Sequence, residues 1–408
     1  MKSTINLQKI LSLLLFFGII IMSDAQQTRD TVYVEMAAIE QPFMYNRLGA
    51  AQPTGMVFAL TKDLDTTLPS SGKIPDSFLG TVRLNSNKRP RPIVLRANEG
   101  DILKIKFTNL LSKYDGTAVI NAYGTDQPGT VDQLTATSNS SNQGPTGSTF
   151  QRTRSAGVHI MGTEMVSSIL SDGSNAGFND SSLVQPGGTI TYTLIVPKEG
   201  VYMLYSTAAQ IAPGGQKGGQ LSNGLFGSLN VEPRGAEWYR SQVSEEDMNQ
   251  AITHYNKVNA DGTITKIAKK DVPNIYDTDS IYPNVDYDAN YANGDPILKM
   301  YKKIGSNTKQ LMYTDLTAII TGPGRGDFTG DGPTFFPVPA SPDRRQSFRE
   351  ISIHYHESPY TVQAFPISYE ATRDSITPYG KVVSVSNSSV RGTIAYNKVV
   401  TNCIFYFS

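Results

Sequence analysis

The sequence has a single cysteine, Cys403, together with four histidines and one tryptophan in 408 residues. A lone thiol excludes a disulfide framework, so stability has to come from packing even in an oxidising compartment. Charge of one sign is also lacking: 36 Lys and Arg balance 36 Asp and Glu. No net field therefore favours nucleic acid or an anionic membrane surface. Strong hydrophobicity is confined to residues 10–22, about a dozen residues where a membrane-spanning helix needs roughly 20. No Gly-rich phosphate loop, nucleophile elbow or zinc-binding helix occurs, which removes the common phosphoryl-transfer, acyl-transfer and zinc-protease readings.

What is present points to export and to β structure. Lys2 and Lys9 precede the apolar run, and Ser23-Asp24-Ala25 follows it, the pattern of a secretory signal over residues 1–25. The protein is expected to be exported, periplasmic or extracellular, with no membrane span once the signal is removed. Alternation by two sets Leu103, Ile105 and Phe107 against Lys104, Lys106 and Thr108, and Ile190, Tyr192, Leu194 and Val196 against Thr189, Thr191 and Thr193. Turn residues precede both strands, Asn98-Glu99-Gly100 and Gln185-Pro186-Gly187-Gly188. Two half-buried strands of this kind require a second sheet, hence a sandwich. Residues 124–150, rich in Gly, Ser, Thr, Asn and Gln, read as a long loop. Ser244 followed by Glu245, Glu246 and Asp247 predicts a helix start, with Met248, Ala251, Ile252 and Tyr255 on one face. Residues 260–294 lose periodicity, and alternation resumes with Ile351, Ile353 and Tyr355 against Ser352, His354 and His356.

Residues 92–111, PIVLRANEGDILKIKFTNLL, the first of several stretches in order, resemble an early strand, Glu-Gly-Asp turn and strand of a domain of the multicopper oxidase family. Residues 156–162, AGVHIMG, fall where it carries a first His-x-His-Gly copper motif. Residues 186–207, PGGTITYTLIVPKEGVYMLYST, resemble the strand leading to the second His-x-His, and GLFGSLNVEP at 224–233 the closing strand. Residues 348–366, FREISIHYHESPYTVQAFP, resemble the opening strand of a following domain in large members, including the manganese-oxidising kind. The resemblance implies an all-β, cupredoxin-like Greek-key β-sandwich, one complete domain plus an incomplete second one. The expected boundaries are a signal peptide at 1–25, a cupredoxin domain at 26–235, a helix and irregular connection at 236–345, and the start of a truncated second domain at 346–408.

It also implies copper, and the residues limit how much. A blue-copper centre needs a thiolate with two imidazoles, yet only five residues, none of them His, follow Cys403. In the family the oxygen-reducing cluster takes eight imidazoles from four His-x-His pairs. Here Met161 stands beside His159 at the first pair, and Tyr205-Ser206-Thr207 stands at the second. His159 with Met161, and with Met165 near them, could hold copper(I) through nitrogen and thioether; the favoured alternative has Met161 and Met165 filling core space and His159 hydrogen-bonding within the sandwich. His354 and His356, two apart on a strand, share a face and could chelate one metal with Glu357; the favoured alternative is a solvated or interface pair.

The first functional expectation is thus an exported, multicopper-oxidase-like protein. The intact family couples copper-dependent substrate oxidation to oxygen reduction, whereas this chain alone, an N-terminal portion, is expected to be inactive. Further cupredoxin domains or subunits are the expected partners. The alternatives are a non-catalytic cupredoxin-fold binding or structural module and a weak copper(I)-binding protein.

Overall fold

The computed structural model describes residues 29–44, 50–52, 55–70, 72–112, 127–129, 151–153, 155–166, 168–174, 182–208, 220–221, 223–271, 281–328, 346–356, 362–363 and 404–405. The segment expected to be a signal at 1–25, the loop expected at 124–150 apart from 127–129, Glu357 and Cys403 lie outside them.

The strands that build the site are β1 (Thr31–Glu40), β2 (Met56–Leu60), β3 (Ile93–Asn98), β4 (Ile102–Asn109), β5 (His159–Ile160), β6 (Glu164–Met165), β7 (Thr189–Ile195), β8 (Gly200–Tyr205), β9 (Phe226–Glu232) and β10 (Glu237–Arg240). After helix α1 (Glu245–Ala251) come β11 (Ile252–Val258), β12 (Ile264–Ile267), β13 (Ile281–Val285), β14 (Tyr301–Gly305), β15 (Thr308–Leu311), β16 (Thr317–Thr321) and β17 (Phe348–Ile351).

Two sheets face each other. The first runs β6-β7-β4-β1-β15-β14, with β1 parallel to β4 and β15, and with β2 antiparallel along the second half of β1. The second runs β3-β9-β8-β5, β3 and β9 being parallel. Val32, Val34 and Met36 from β1, Leu103, Ile105 and Phe107 from β4, and Tyr192 and Leu194 from β7 pack against Leu95, Leu229, Leu204 and Ile160 of the second sheet. The fold is therefore an all-β, cupredoxin-like sandwich, and the period-two patterns at 103–107 and 190–196 point inward as expected. The other face of β1 is buried as well, under Leu64, Ile74, Leu79 and Val82.

The Glu-Gly-Asp turn joins β3 to β4. The Asp101 carboxylate accepts from the Asn98 N–H at 3.0 Å, but burial pushes its pKa up to about 6 against the pull of the Lys309 ammonium. The folded chain holds this proton where the unfolded chain has already released it, so stability should fall as pH rises from the ordinary carboxyl range to about 6. Asp101→Asn keeps an acceptor for Asn98. It should raise neutral-pH stability, by at most about 3 kcal/mol, and flatten urea-denaturation midpoints across that pH window.

Among the described residues between 236 and 328 the chain is more regular than the sequence suggests. The helix begins where expected, with Ser244 Oγ accepting from the Asp247 N–H at 3.1 Å. It stops at Ala251, because Ile252 and Thr253 are β-branched and Ile252 starts β11, which pairs with β12 and β13. β14 and β15 join the first sheet, with Thr31 beside Thr308 and Tyr33 beside Gln310. This segment, expected to be an irregular connection, thus completes the sandwich edge. Its pairing is non-local, so local periodicity does not reveal it. β10, β16 and β17 form a third sheet.

Candidate functional site

β5 and β8 set the geometry of the first copper-motif position. His159 lies opposite Tyr205 and Ile160 opposite Leu204, and the Met161 N–H donates to the Met203 carbonyl at 3.0 Å. Ile160 and Leu204 point into the core. Alternation then places His159, Met161, Met203 and Tyr205 together on the outer face. Across β8 that face continues through Phe226, Ser228 and Asn230 of β9 to Arg96 of β3.

His159 is held rather than free. Its Nδ1 lies 3.1 Å from both the Asp172 carbonyl and the Asp172 Oδ1. Both partners accept, so Nδ1 carries a proton, and in the neutral ring Nε2 is then the nitrogen with the lone pair. The ring stands edge-on to Tyr205 at 5.4 Å. Asp172 is placed by Gly173, whose φ of +69° and close approach to the Val158 carbonyl leave no room for a Cβ. The expected hydrogen bond of His159 within the sandwich is present. The expectation that Met161 and Met165 fill core space fails: they are 50% and 41% exposed, Met161 in the turn just after β5 and Met165 on the edge strand β6.

At the second motif position no imidazole replaces the missing pair. Ser206 is fully buried and donates to Gln220 Oε1 at 2.6 Å, while Gln220 Nε2 donates to the Ser155 carbonyl at 2.7 Å. The Gly157 N–H reaches Ser206 Oγ at 3.3 Å. Hydroxyl and amide groups thus satisfy one another there.

His354 and His356 pack on Phe226, with ring centroids 6.0 and 4.7 Å away. Burial holds the His354 pKa below its ordinary value. Of the expected solvated or interface pair, the packed form is the one found, and the polar side of this segment is the covered one: Ser352 is buried, whereas Ile351, Ile353 and Tyr355 are exposed. The cause is the polar lining of the second sheet. Arg96, fully buried, donates through Nη2 and Nε to Glu350 Oε1 at 2.6 and 3.1 Å, and through Nη1 to the Asp315 carbonyl at 2.7 Å. Asn230 Nδ2 donates to Glu350 Oε1 at 2.7 Å and to Ser352 Oγ at 2.8 Å. Only the polar side of the strand can meet these groups.

No protein-family model matches the chain, and no curated protein matches it either. Among solved structures it is similar to a multicopper oxidase from Pseudomonas thermotolerans at 16% identity and a TM-score of 0.27, over 51% of this chain and 31% of that one. A second multicopper oxidase shares 16% identity at a TM-score of 0.27, over 54% and 53% of the two chains. A copper nitrite reductase from Nitrosomonas europaea shares 15% identity at a TM-score of 0.24, over 50% and 42%. The match therefore spans between about a third and a half of those proteins.

Whether copper fits is decided by this chain's own side chains. The outer face carries His159 on one side of the Tyr205–Phe226 pair and His354 and His356 on the other, so the three imidazoles do not converge. Among the described residues no group of three or more His, Cys, Asp or Glu side chains is placed to hold a metal. A blue-copper or oxygen-reducing cluster does not fit them. Sequence reasoning missed the Arg96 cluster, whose signal is an arginine inside the apolar run Ile93-Val94-Leu95-Arg96-Ala97, and it missed Met203. It also missed a cleft of about 700 Å³ bounded by Leu60, Arg89, Arg91, Arg240 and Asp315.

Proposed function

We propose that this chain is an exported, multicopper-oxidase-like cupredoxin module that serves as a structural and binding unit, with oxygen-reducing copper held by other domains or subunits. One observation carries this: at the second ligand position Ser206 is buried and engaged with Gln220, so that pocket is filled by a satisfied hydrogen-bond network. The role of partner platform is supported by the outward row of Ile351, Ile353 and Tyr355 on the segment at and after the end of β17. In an assembled protein, copper would supply electron transfer from substrate to oxygen. This module would supply the sandwich wall against which such a centre is mounted. Among the described residues no helix is long and apolar enough to cross a membrane.

The test is copper(II) loading of the purified chain, then dialysis, metal analysis by mass spectrometry and oxygen uptake with a phenolic substrate. We expect no blue absorption band, no oxygen uptake and no set of several coppers per chain. Several bound coppers with oxygen uptake would overturn the proposal.

A further inference from the structure

Two exposed thioethers sit opposite one another on the outer face of the second sheet. Met161 and Met203 are linked by the Met161 N–H to Met203 carbonyl bond of 3.0 Å and are 50% and 42% exposed. Side chains directly opposite on an antiparallel ladder have Cβ atoms about 4.5–5.5 Å apart, within reach of two flexible methionines. His159 is two residues before Met161, which directly follows β5, about 6.5 Å away along extended chain. Its Nδ1 is committed to Asp172, and among the described residues its Nε2 has no hydrogen-bond partner. An imidazole oriented by a carboxylate through one nitrogen and open at the other is the usual arrangement of a metal-bound histidine. Two thioethers and one neutral imidazole form a soft donor set, which selects copper(I) over hard cations.

We propose that His159 Nε2, Met161 Sδ and Met203 Sδ form a three-coordinate copper(I) site on the outer face of the sandwich, with Asp172 as its positioning residue. The site needs no redox step, only an ion supplied as copper(I). Met165 is excluded from the set because it lies on β6, which pairs with β7 in the other sheet.

The test is anaerobic titration of the full chain with copper(I) against a chromophoric copper(I) chelator, with X-ray absorption reporting the ligand atoms. Expected is one copper(I) per chain with two sulfur and one nitrogen scatterers. Met161→Leu and Met203→Leu should each weaken binding at least about tenfold, worth 1.4 kcal/mol. Asp172→Asn should weaken it by roughly 10- to 100-fold, and Met165→Leu should leave it unchanged. Because both methionines are exposed, their leucine variants should melt at the parent temperature, so a loss of affinity is not a loss of fold. Absence of copper(I) binding, an unchanged Kd in Met203→Leu, or an equal loss in Met165→Leu overturns the site. None of these outcomes depends on oxygen uptake, so this site and the module proposal fail independently.

Discussion

Arg96→Met is expected to lower folding stability by about 3–5 kcal/mol, measured as a shift in the urea midpoint. Arg96 is fully buried, and its guanidinium is the cation within a cluster that contains Glu350 at 2.6 Å and Glu232 at 3.6 Å. Methionine fits the volume but leaves Glu350 with only the Asn230 amide as donor and without its counter-charge, and leaves the Asp315 carbonyl without its donor. Glu232 behaves differently. Burial, reinforced by the nearby Glu350 charge, holds its pKa well above the carboxyl range despite Arg96. The folded chain therefore keeps a proton that the unfolded chain loses, and this contribution to stability is complete at low pH and declines as pH rises. Glu232→Gln should accordingly be mild and should remove the decline that sets in as pH rises above the ordinary carboxyl range. A loss below about 1 kcal/mol in Arg96→Met would mean that the cluster is solvated, since exposed pairs contribute no more than that.

Trp238→Ala is expected to be of similar size, about 3–5 kcal/mol. This indole, the sole tryptophan, is fully buried on β10. It stands edge-on to Tyr301 of β14 at 5.2 Å, beneath the Lys309 ammonium of β15. Its Nε1 donates to Asn98 Oδ1 at 2.8 Å at the end of β3. One side chain thus ties both sheets of the sandwich to the segment after residue 236. Alanine removes the ring and leaves the Asn98 oxygen buried without its donor. Trp238→Phe keeps most of the packing and should lose only the hydrogen-bond part, about 1–3 kcal/mol. Far-UV circular dichroism during denaturation gives both values; equal stability of the alanine variant and the parent would refute this linking role.

Much of the fold could be read in advance where the information is local. Leu103, Ile105 and Phe107 alternate with lysines and threonine, and one face of β4 is buried accordingly. Ser244 ahead of three acidic residues marks the helix start to the residue. The lack of imidazole at Tyr205-Ser206-Thr207 argued against a full copper centre in these residues before any geometry was known.

What resisted reading depends on partners far away in sequence. Alternation over 351–356 divides the strand into two faces but does not say which is covered; Arg96 and Asn230, more than 100 residues earlier, draw the polar face inward. The pairing of β15 with β1 brings Thr308 beside Thr31, and no local pattern encodes it. Met203 became a neighbour of Met161 only through the register of β8 against β5. The sequence by itself therefore determined the β class, the strand periods, the helix cap and the shortage of copper ligands, since these follow from residue type and short-range spacing. Tertiary structure alone decided which faces are buried, which charges meet and which donors converge, because burial belongs to a pair of surfaces and one strand carries only half of that information.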